Sequence, residues 1–357
     1  MATESASKKL KTSPPLIGTH NGHFHADEAL AVYLLRLLPD YSSSALIRTR
    51  DQSVLSTCHT VVDVGGVYSP PDNRYDHHQR TFDTTFPSHA TKLSSAGLIY
   101  LHFGKPIIAR HVQLPETAPE VSLLWTKIYA EFVEALDAHD NGISAYNPAS
   151  LADAGITKRF ADGGVTLGAM VGDLNPNWND PQPDGPAPAA QAAEDAKFLQ
   201  ASEMMGTAFL RKLTYYASAW LPARAIVRAA YDKRKDYDSR GRIMVFEQSV
   251  PWKDHLYNLE DEDSGAGAGA GDDKVLYVLY PESNQPGAKW RIQAVPVSKD
   301  SFESRKALPE AWRGFRDEQL DEVAGVEGTV FVHASGFIGG SKTWEGAKSM
   351  AYKAADM

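Results

Sequence analysis

The stretch Pro15–Leu38, PLIGTHNGHFHADEALAVYLLRLL, decides how this chain is read. Its first five residues suit a short buried strand. From Asp27 the apolar residues Leu30, Leu34, Leu37 and Leu38 recur at helical spacing, and Pro39 stops the helix. Between strand and helix lie His20, His23, His25, Asp27 and Glu28. A buried strand that runs through a polar turn into an amphipathic helix is the opening half of a β-α-β unit.

The alternation continues outward. Ala45–Thr49 and Thr60–Val64 read as strands, and Ser94 and Ser95 can cap a helix to about His102. Val121–Ala138 places Leu124, Ile128, Phe132 and Leu136 on one helical stripe. Such alternation predicts an α/β domain with a mostly parallel sheet and helices on both faces, ligands binding beyond the carboxyl ends of the strands. Pro176–Pro188, rich in Pro, Asn, Asp and Gly, reads as a boundary. The expected organisation is a tail at 1–15, a catalytic domain at 16–188, a connecting helix at 189–221 and a smaller mixed α+β domain at 222–357. Strands are expected there at Ile243–Phe246, Val275–Tyr280, Trp290–Val297 and Thr329–His333. The run Leu259–Asp273, LEDEDSGAGAGAGDD, reads as a flexible acidic surface loop.

Composition narrows the function classes. With 357 residues the chain suits two domains, and 43% hydrophobic with 23% charged residues is ordinary for a globular protein. No stretch approaches the roughly 18 apolar residues of a membrane span, so no membrane partner is expected. Cys58 is the only cysteine, which excludes an intrachain disulfide and a thiolate-rich zinc site and suits an intracellular setting. The first fifteen residues lack the apolar core of a secretory signal, and Lys8, Lys9 and Lys11 read as a solvated tail rather than a nuclear signal. A net charge of −9 repels phosphate overall, so a nucleic-acid enzyme needs a local basic surface, while excess acid can hold divalent cations.

Four segments concentrate histidine and aspartate at expected element ends: His20–Glu28, Val62–Gly66, Tyr75–Gln79 and Asp137–Gly142. Asp63 follows the β-formers Thr60, Val61 and Val62, and Gly65-Gly66 gives the backbone room to turn. In a parallel sheet all four segments converge on one edge. Crowded imidazoles and carboxylates repel or take up protons unless cations lie between them. Mixed nitrogen and oxygen ligands without sulfur suit Mn²⁺ or Mg²⁺, with zinc second. Two ions about 3.5–4 Å apart can activate a water and clamp a phosphoryl group. Singly, each segment has a plainer reading. An aspartate after a strand usually caps a turn or helix, a histidine pair commonly fills surface or core, and Asn141-Gly142 commonly marks a turn. Four together, all before Ile143, favour a shared metal site.

Asp76-His77-His78 is the triplet that names the DHH phosphoesterases. The wider wording resembles the melanocyte proliferating gene family: GTHNGHFHADEA at Gly18–Ala29, DVGG at Asp63–Gly66, RYDHHQR at Arg74–Arg80, TKLSSAGLIY at Thr91–Tyr100, DNGI at Asp140–Ile143 and HASGFIGGSK at His333–Lys342. The resemblance spans residues 16 to 352. It implies a DHH-like fold and a 3′→5′ exonuclease of single-stranded RNA, in nuclear, nucleolar and mitochondrial RNA processing. It also implies two metal ions. His20, His25 and Asp63 would hold one; Asp27, Asp63, His77 and Asp137 the other, with Asp63 bridging. His78 would face the scissile phosphate, and Asp76 would brace the histidine pair. Asp140 lies about one turn beyond Asp137 and competes with it for the ligand role. The chain departs from the usual DHH pattern at His25, which stands where the first aspartate of Asp-x-Asp is expected, and the spacing to His20 is one residue longer.

The far end offers substrate contacts. Gly336–Lys342, with Gly339, Gly340, Ser341 and Lys342, reads as a phosphate cradle or as a plain hairpin, and His333 as a phosphate or hydroxyl contact or a strand-end histidine. Between Pro222 and Arg242 seven lysines and arginines stand against three aspartates, a stripe that can track a nucleic-acid strand or simply be solvated. Trp290, Arg291, Trp312 and Arg313 are stacking candidates, though tryptophans more often pack in cores. Two rivals use the same metal site: a small-molecule phosphoesterase or pyrophosphatase, and a non-catalytic, metal-stabilised RNA-binding protein. A third rests on His23-Phe-His25-Ala-Asp27, which fits the H-x-H-x-D start of the metallo-β-lactamase fold but lacks the histidine usual at Glu28.

Overall fold

The computed structural model describes residues 14–161, 163–180, 187–265 and 274–357. Most of the expected tail therefore lies outside the described residues, as do 266–273 of the Gly-Ala run. Two compact units divide at Tyr216/Ala217.

The first unit carries a mixed five-stranded sheet. Its strands are β1 (Ile17–Thr19), β2 (Leu46–Arg48), β3 (Thr60–Val62), β4 (Tyr68–Ser69) and β5 (Arg74–Tyr75), in the order β2-β1-β3-β5-β4. The pairs β1–β2, β1–β3 and β3–β5 are parallel, and β4 adds an antiparallel edge. Ile17, Val61 and Val62 are buried, as a parallel strand covered by helices requires. Because β2 and β3 lie on opposite sides of β1, the chain reverses direction across the sheet there. The carboxyl ends of β1 and β3 thus flank a switch point, where open α/β sheets bind ligands.

The helix after β1 is Ala26–Arg36, with Asp27 and Glu28 in its first turn, where the helix dipole favours carboxylates. The helix begun at Ser95 runs to Val112, through Pro106 and well past the expected end near His102. Ile107, Ile108 and Ala109 continue its buried face, which outweighs the one backbone bond that proline removes. The expected helix over 121–138 is interrupted. Pro119–Ile128 is α-helical, Tyr129–Val133 is a π turn, and Glu134–Asp140 resumes as α-helix. The long helix Ala187–Tyr215 packs on Ala26–Arg36. There the Ser202 hydroxyl donates to the Ala29 carbonyl at 2.8 Å, and Gly206 lies where a Cβ would strike the Tyr33 ring.

The second unit is also mixed. Its strands are β6 (Ile243–Val245), β7 (Tyr277–Pro281), β8 (Trp290–Ala294), β9 (Thr329–Val332) and β10 (Ile338–Ser341), in the order β6-β7-β8-β10-β9, with only β6–β7 parallel. Tyr277 and Leu279 join one apolar cluster, with Met350 and Ala351 of the helix Trp344–Asp356, while Val278 joins the other. That alternation is the period of a strand buried on both faces.

The acidic run is not simply a loop. Leu259–Gly265 belongs to the helix Lys253–Gly265, because Leu256 and Leu259 bury and Glu260 meets Arg305 at 2.6 Å.

Candidate metal centre

The switch point brings the polar segments together. His20 follows β1, and its Nε2 lies 3.3 Å from Asp63 Oδ2 and 3.1 Å from Glu28 Oε1. His77 follows β5, and its Nε2 lies 3.3 Å from Asp63 Oδ1 and 3.0 Å from Asp140 Oδ2. Asp63 thus stands between two imidazoles, one on each oxygen. Its backbone is left-handed, with φ 58°, a conformation that strains a residue with a Cβ. Three interactions hold it there: its amide donates to the Tyr75 carbonyl, the Ser95 hydroxyl donates to Oδ1 at 3.0 Å, and Gly65 and Gly66 take positive φ behind it.

Asp76 serves this turn rather than the cluster. Its Oδ2 accepts the Gly66 amide at 2.6 Å, and its Oδ1 accepts from His78 Nδ1 at 2.7 Å. The His78 side chain is 60% exposed and borders a cavity of about 460 Å³ lined also by Asp27, Asp63, His77 and Asp140.

Four groups of side chains have ligand atoms close enough to share an ion: His20, His25 and Glu28; Asp63, His77 and His78; Asp27, His77 and Asp140; and Asp27, Glu28 and Asp63. The polar atoms here are poorly satisfied. Both Asp27 oxygens, Glu28 Oε2 and both His77 nitrogens are buried without a hydrogen bond. His77 Nε2 is near two carboxylates but misaligned with both. Buried polar atoms normally find partners, so clustered exceptions need a cause. Divalent cations fit the nitrogen and oxygen donors, and these clusters can hold a metal ion.

Electrostatics agree. Burial pushes the Asp27 carboxyl well above its ordinary range, and the charges of Asp63, Asp140 and Glu28 push it further. Burial opposes charge on His20 and His77, but the carboxylates overcome it and raise both to about 10. The same imidazoles hold Asp63 far below the usual carboxylate range, against its burial. His78 is raised chiefly by its bond to Asp76.

Of the two aspartates at the helix end, the cluster includes Asp140 and not Asp137. Asp137 Oδ1 accepts the Ser94 amide at 3.0 Å, the Ser94 hydroxyl at 2.8 Å and the Gly97 amide at 3.0 Å, and its Oδ2 accepts the Tyr129 hydroxyl at 3.0 Å. It caps the helix Ser95–Val112 from outside, and Gly97 is needed because a Cβ there would collide with the carboxylate. Burial pushes its carboxyl up to about 7 against those four donors.

The chain matches the MYG1 exonuclease family, described as an uncharacterised protein family (UPF0160), over residues 16–355. The human MYG1 exonuclease is 47% identical over 352 residues, 97% of this chain and 87% of the human protein. The mouse MYG1 exonuclease is 46% identical over 346 residues, 95% of this chain and 84% of its own. The MYG1 protein of Saccharomyces cerevisiae is 42% identical over 336 residues, 94% of each chain. This chain belongs to the MYG1 family.

In this MYG1-family chain two contributors escape a motif reading. Glu28 looks like an ordinary first-turn acid, and its Oε1 does accept the His25 amide at 2.8 Å. Only its complete burial beside His20 marks it as a candidate ligand. Ser95 looks like a helix cap but positions Asp63.

The expected phosphate cradle of the second unit is arranged differently. Gly339, Gly340 and Ser341 are buried in β10, between β8 and β9, and the Ser341 hydroxyl donates to the Gly328 carbonyl. His333 and Lys342 are exposed at opposite ends of that strand, so the segment is a sheet strand rather than a converging loop. The basic stripe is largely paired: Arg224 and Arg228 meet Glu262, and Arg242 meets Asp238 and Asp356. Trp312 is core, as the plainer reading has it.

Proposed function

We propose that this protein is a metal-dependent phosphodiester hydrolase, a 3′→5′ exonuclease of RNA built on a DHH-like domain with two Mn²⁺ or Mg²⁺ ions. The observation that carries the reading is Asp63, with one oxygen 3.3 Å from His20 and the other 3.3 Å from His77. A carboxylate so placed can bridge two ions. His20, His25, Glu28 and Asp63 would hold one, and Asp27, Asp63, His77 and Asp140 the other. The names of the mammalian relatives support exonuclease action, and the motif resemblance supports RNA and the polarity.

The bound ions would supply Lewis-acid activation of water and charge neutralisation at the phosphoryl oxygens. The chain's own groups do the rest. Asp76 accepts Nδ1–H of His78 and favours the imidazolium form, whose Nε2–H can donate to a phosphoryl oxygen in the cavity. Ser95 keeps Asp63 in its strained conformation, so the carboxylate that would hold the ions is positioned before substrate arrives.

A second reading, hydrolysis of a small phosphoester or pyrophosphate by the same site, is favoured by the neutralised basic stripe. The test is metal content of the purified protein, then labelled oligoribonucleotides beside pyrophosphate and dinucleotides, with and without chelator. Chelator-sensitive release of mononucleotides from the 3′ end is expected. Orthophosphate release with intact oligomers would transfer the site to small substrates. Ligand variants that lower the melting temperature of a protein with no hydrolytic activity would point to a structural metal.

A further inference from the structure

Lys92 borders the cavity of the metal centre and is, among the described residues, the only lysine or arginine that does. Asp27, Asp63 and Asp140 line the same cavity, and carboxylates attract a lysine within reach. Among the described residues none pairs with its ammonium, which lies over the Phe82 ring, 5.6 Å from Nζ to the ring centre. The same ring lies 6.3 Å, centre to centre, from the His77 ring, so Phe82 is shared by this cation and the candidate ligand histidine.

The backbone explains why the side chain is held off. Asn141, the residue after Asp140, donates its side-chain amide to the Lys92 carbonyl at 3.0 Å and to the Asp137 carbonyl at 2.9 Å. Lys92 pairs with Thr85 in an isolated β-bridge, and the amide of the buried Leu93 donates to the Thr84 carbonyl at 3.0 Å. The backbone of Lys92 is therefore tied to the end of the helix that carries Asp140, with its ammonium over Phe82.

We propose that Lys92 binds a non-bridging oxygen of the substrate's phosphoryl group, as a substrate-contacting residue of the metal site. The inference rests on the phosphodiesterase reading. A lysine that borders a cavity of carboxylates, with its backbone anchored and its ammonium unpaired among the described residues, matches the place where a phosphate anion enters, and it can neutralise charge there. Lysine serves phosphate as a point charge, so position matters more than shape.

The test uses the full-length, Mg²⁺-loaded protein and Lys92→Met, which keeps an apolar stem and removes the charge, with Lys92→Arg as the charge-retaining control. Inorganic phosphate is titrated by calorimetry, and metal content and melting temperature are recorded for each. Lys92→Met should bind phosphate about 10-fold or more weakly at unchanged metal content, and Lys92→Arg should recover much of it. Where oligoribonucleotides are cleaved, kcat/KM should fall in parallel. Equal phosphate affinity for wild type and Lys92→Met overturns the proposal, as does a wild type that binds no phosphate. Phosphate bound through Lys92 by a protein that cleaves no oligoribonucleotide would instead sink the exonuclease reading and leave this one standing.

Discussion

Two of the regions where the molecule buries charge are treated in opposite ways. In the second unit Glu260 and Arg305 form a bidentate pair at 2.6 and 2.8 Å; Glu260 Oε1 also accepts the Val275 amide, and Arg305 also donates to the Val275 carbonyl. At the rim of the first sheet Asp27, Glu28 and His77 keep buried atoms without partners. Satisfied buried charge joins elements of a fold, here a helix to the start of β7. Unsatisfied buried charge is tolerated where a ligand completes it. Asp137 and Asp140 repeat the contrast within one helical turn: the first has four donors, and the second faces His77.

The largest test removes the shared ligand. Asp63→Ala should abolish hydrolysis, by at least about 1000-fold in kcat, with metal content sharply reduced and the circular dichroism spectrum retained. An active Asp63→Ala protein would break the bridging assignment. Asp140→Ala should behave similarly and Asp137→Ala should not, which separates the two aspartates by metal content alone.

The opposite result is expected in the second unit. Arg305→Ala removes the buried cation that faces the Glu260 carboxylate and should cost about 3–5 kcal/mol of stability, measured by denaturant unfolding. Metal content should not change. Loss of metal on Arg305→Ala would contradict the division between structural and ligand-binding charge.

Much of this was legible beforehand because strand ends and motif residues coincide. Thr60-Val-Val-Asp63 has to end a buried strand in a carboxylate, and Gly65-Gly66 has to let the chain turn. The four strands expected in the second unit stand where periodicity puts them. Three features were hidden for physical reasons. Gly336–Lys342 reads equally as a phosphate cradle or a plain hairpin because its glycines carry no side-chain pattern, and β9 and β10 pair as the hairpin. Leu259–Gly265 looks disordered by composition, yet its pairing partners are Arg224, Arg228 and Arg305, far away in sequence. Asp137 and Asp140 share one helix face, and only the position of Ser94 and Gly97 decides which of them caps.

A single pH titration can separate the metal centre from Asp137 with opposite signs. Without metal, His20 and His77 are raised to about 10, so the folded chain binds those protons more tightly than the unfolded chain. Metal must displace them, so its affinity should rise with pH by up to about tenfold per unit for each proton released, and activity should fall on acidification. A rate flat from pH 8 to pH 5 would contradict histidine ligation. Asp137 runs the other way. Its folded carboxyl, near 7, lies above the unfolded value of 3.8, so its contribution is complete at low pH. That contribution is lost as pH rises through 7. Metal-free stability should therefore contain a declining component between about pH 4 and 7 that Asp137→Asn removes, since asparagine mimics the protonated carboxyl. Denaturant midpoints of the two chelator-treated proteins measure it. Parallel curves would mean that the four donors, rather than burial, set the charge of Asp137, and that it caps its helix as a permanent anion.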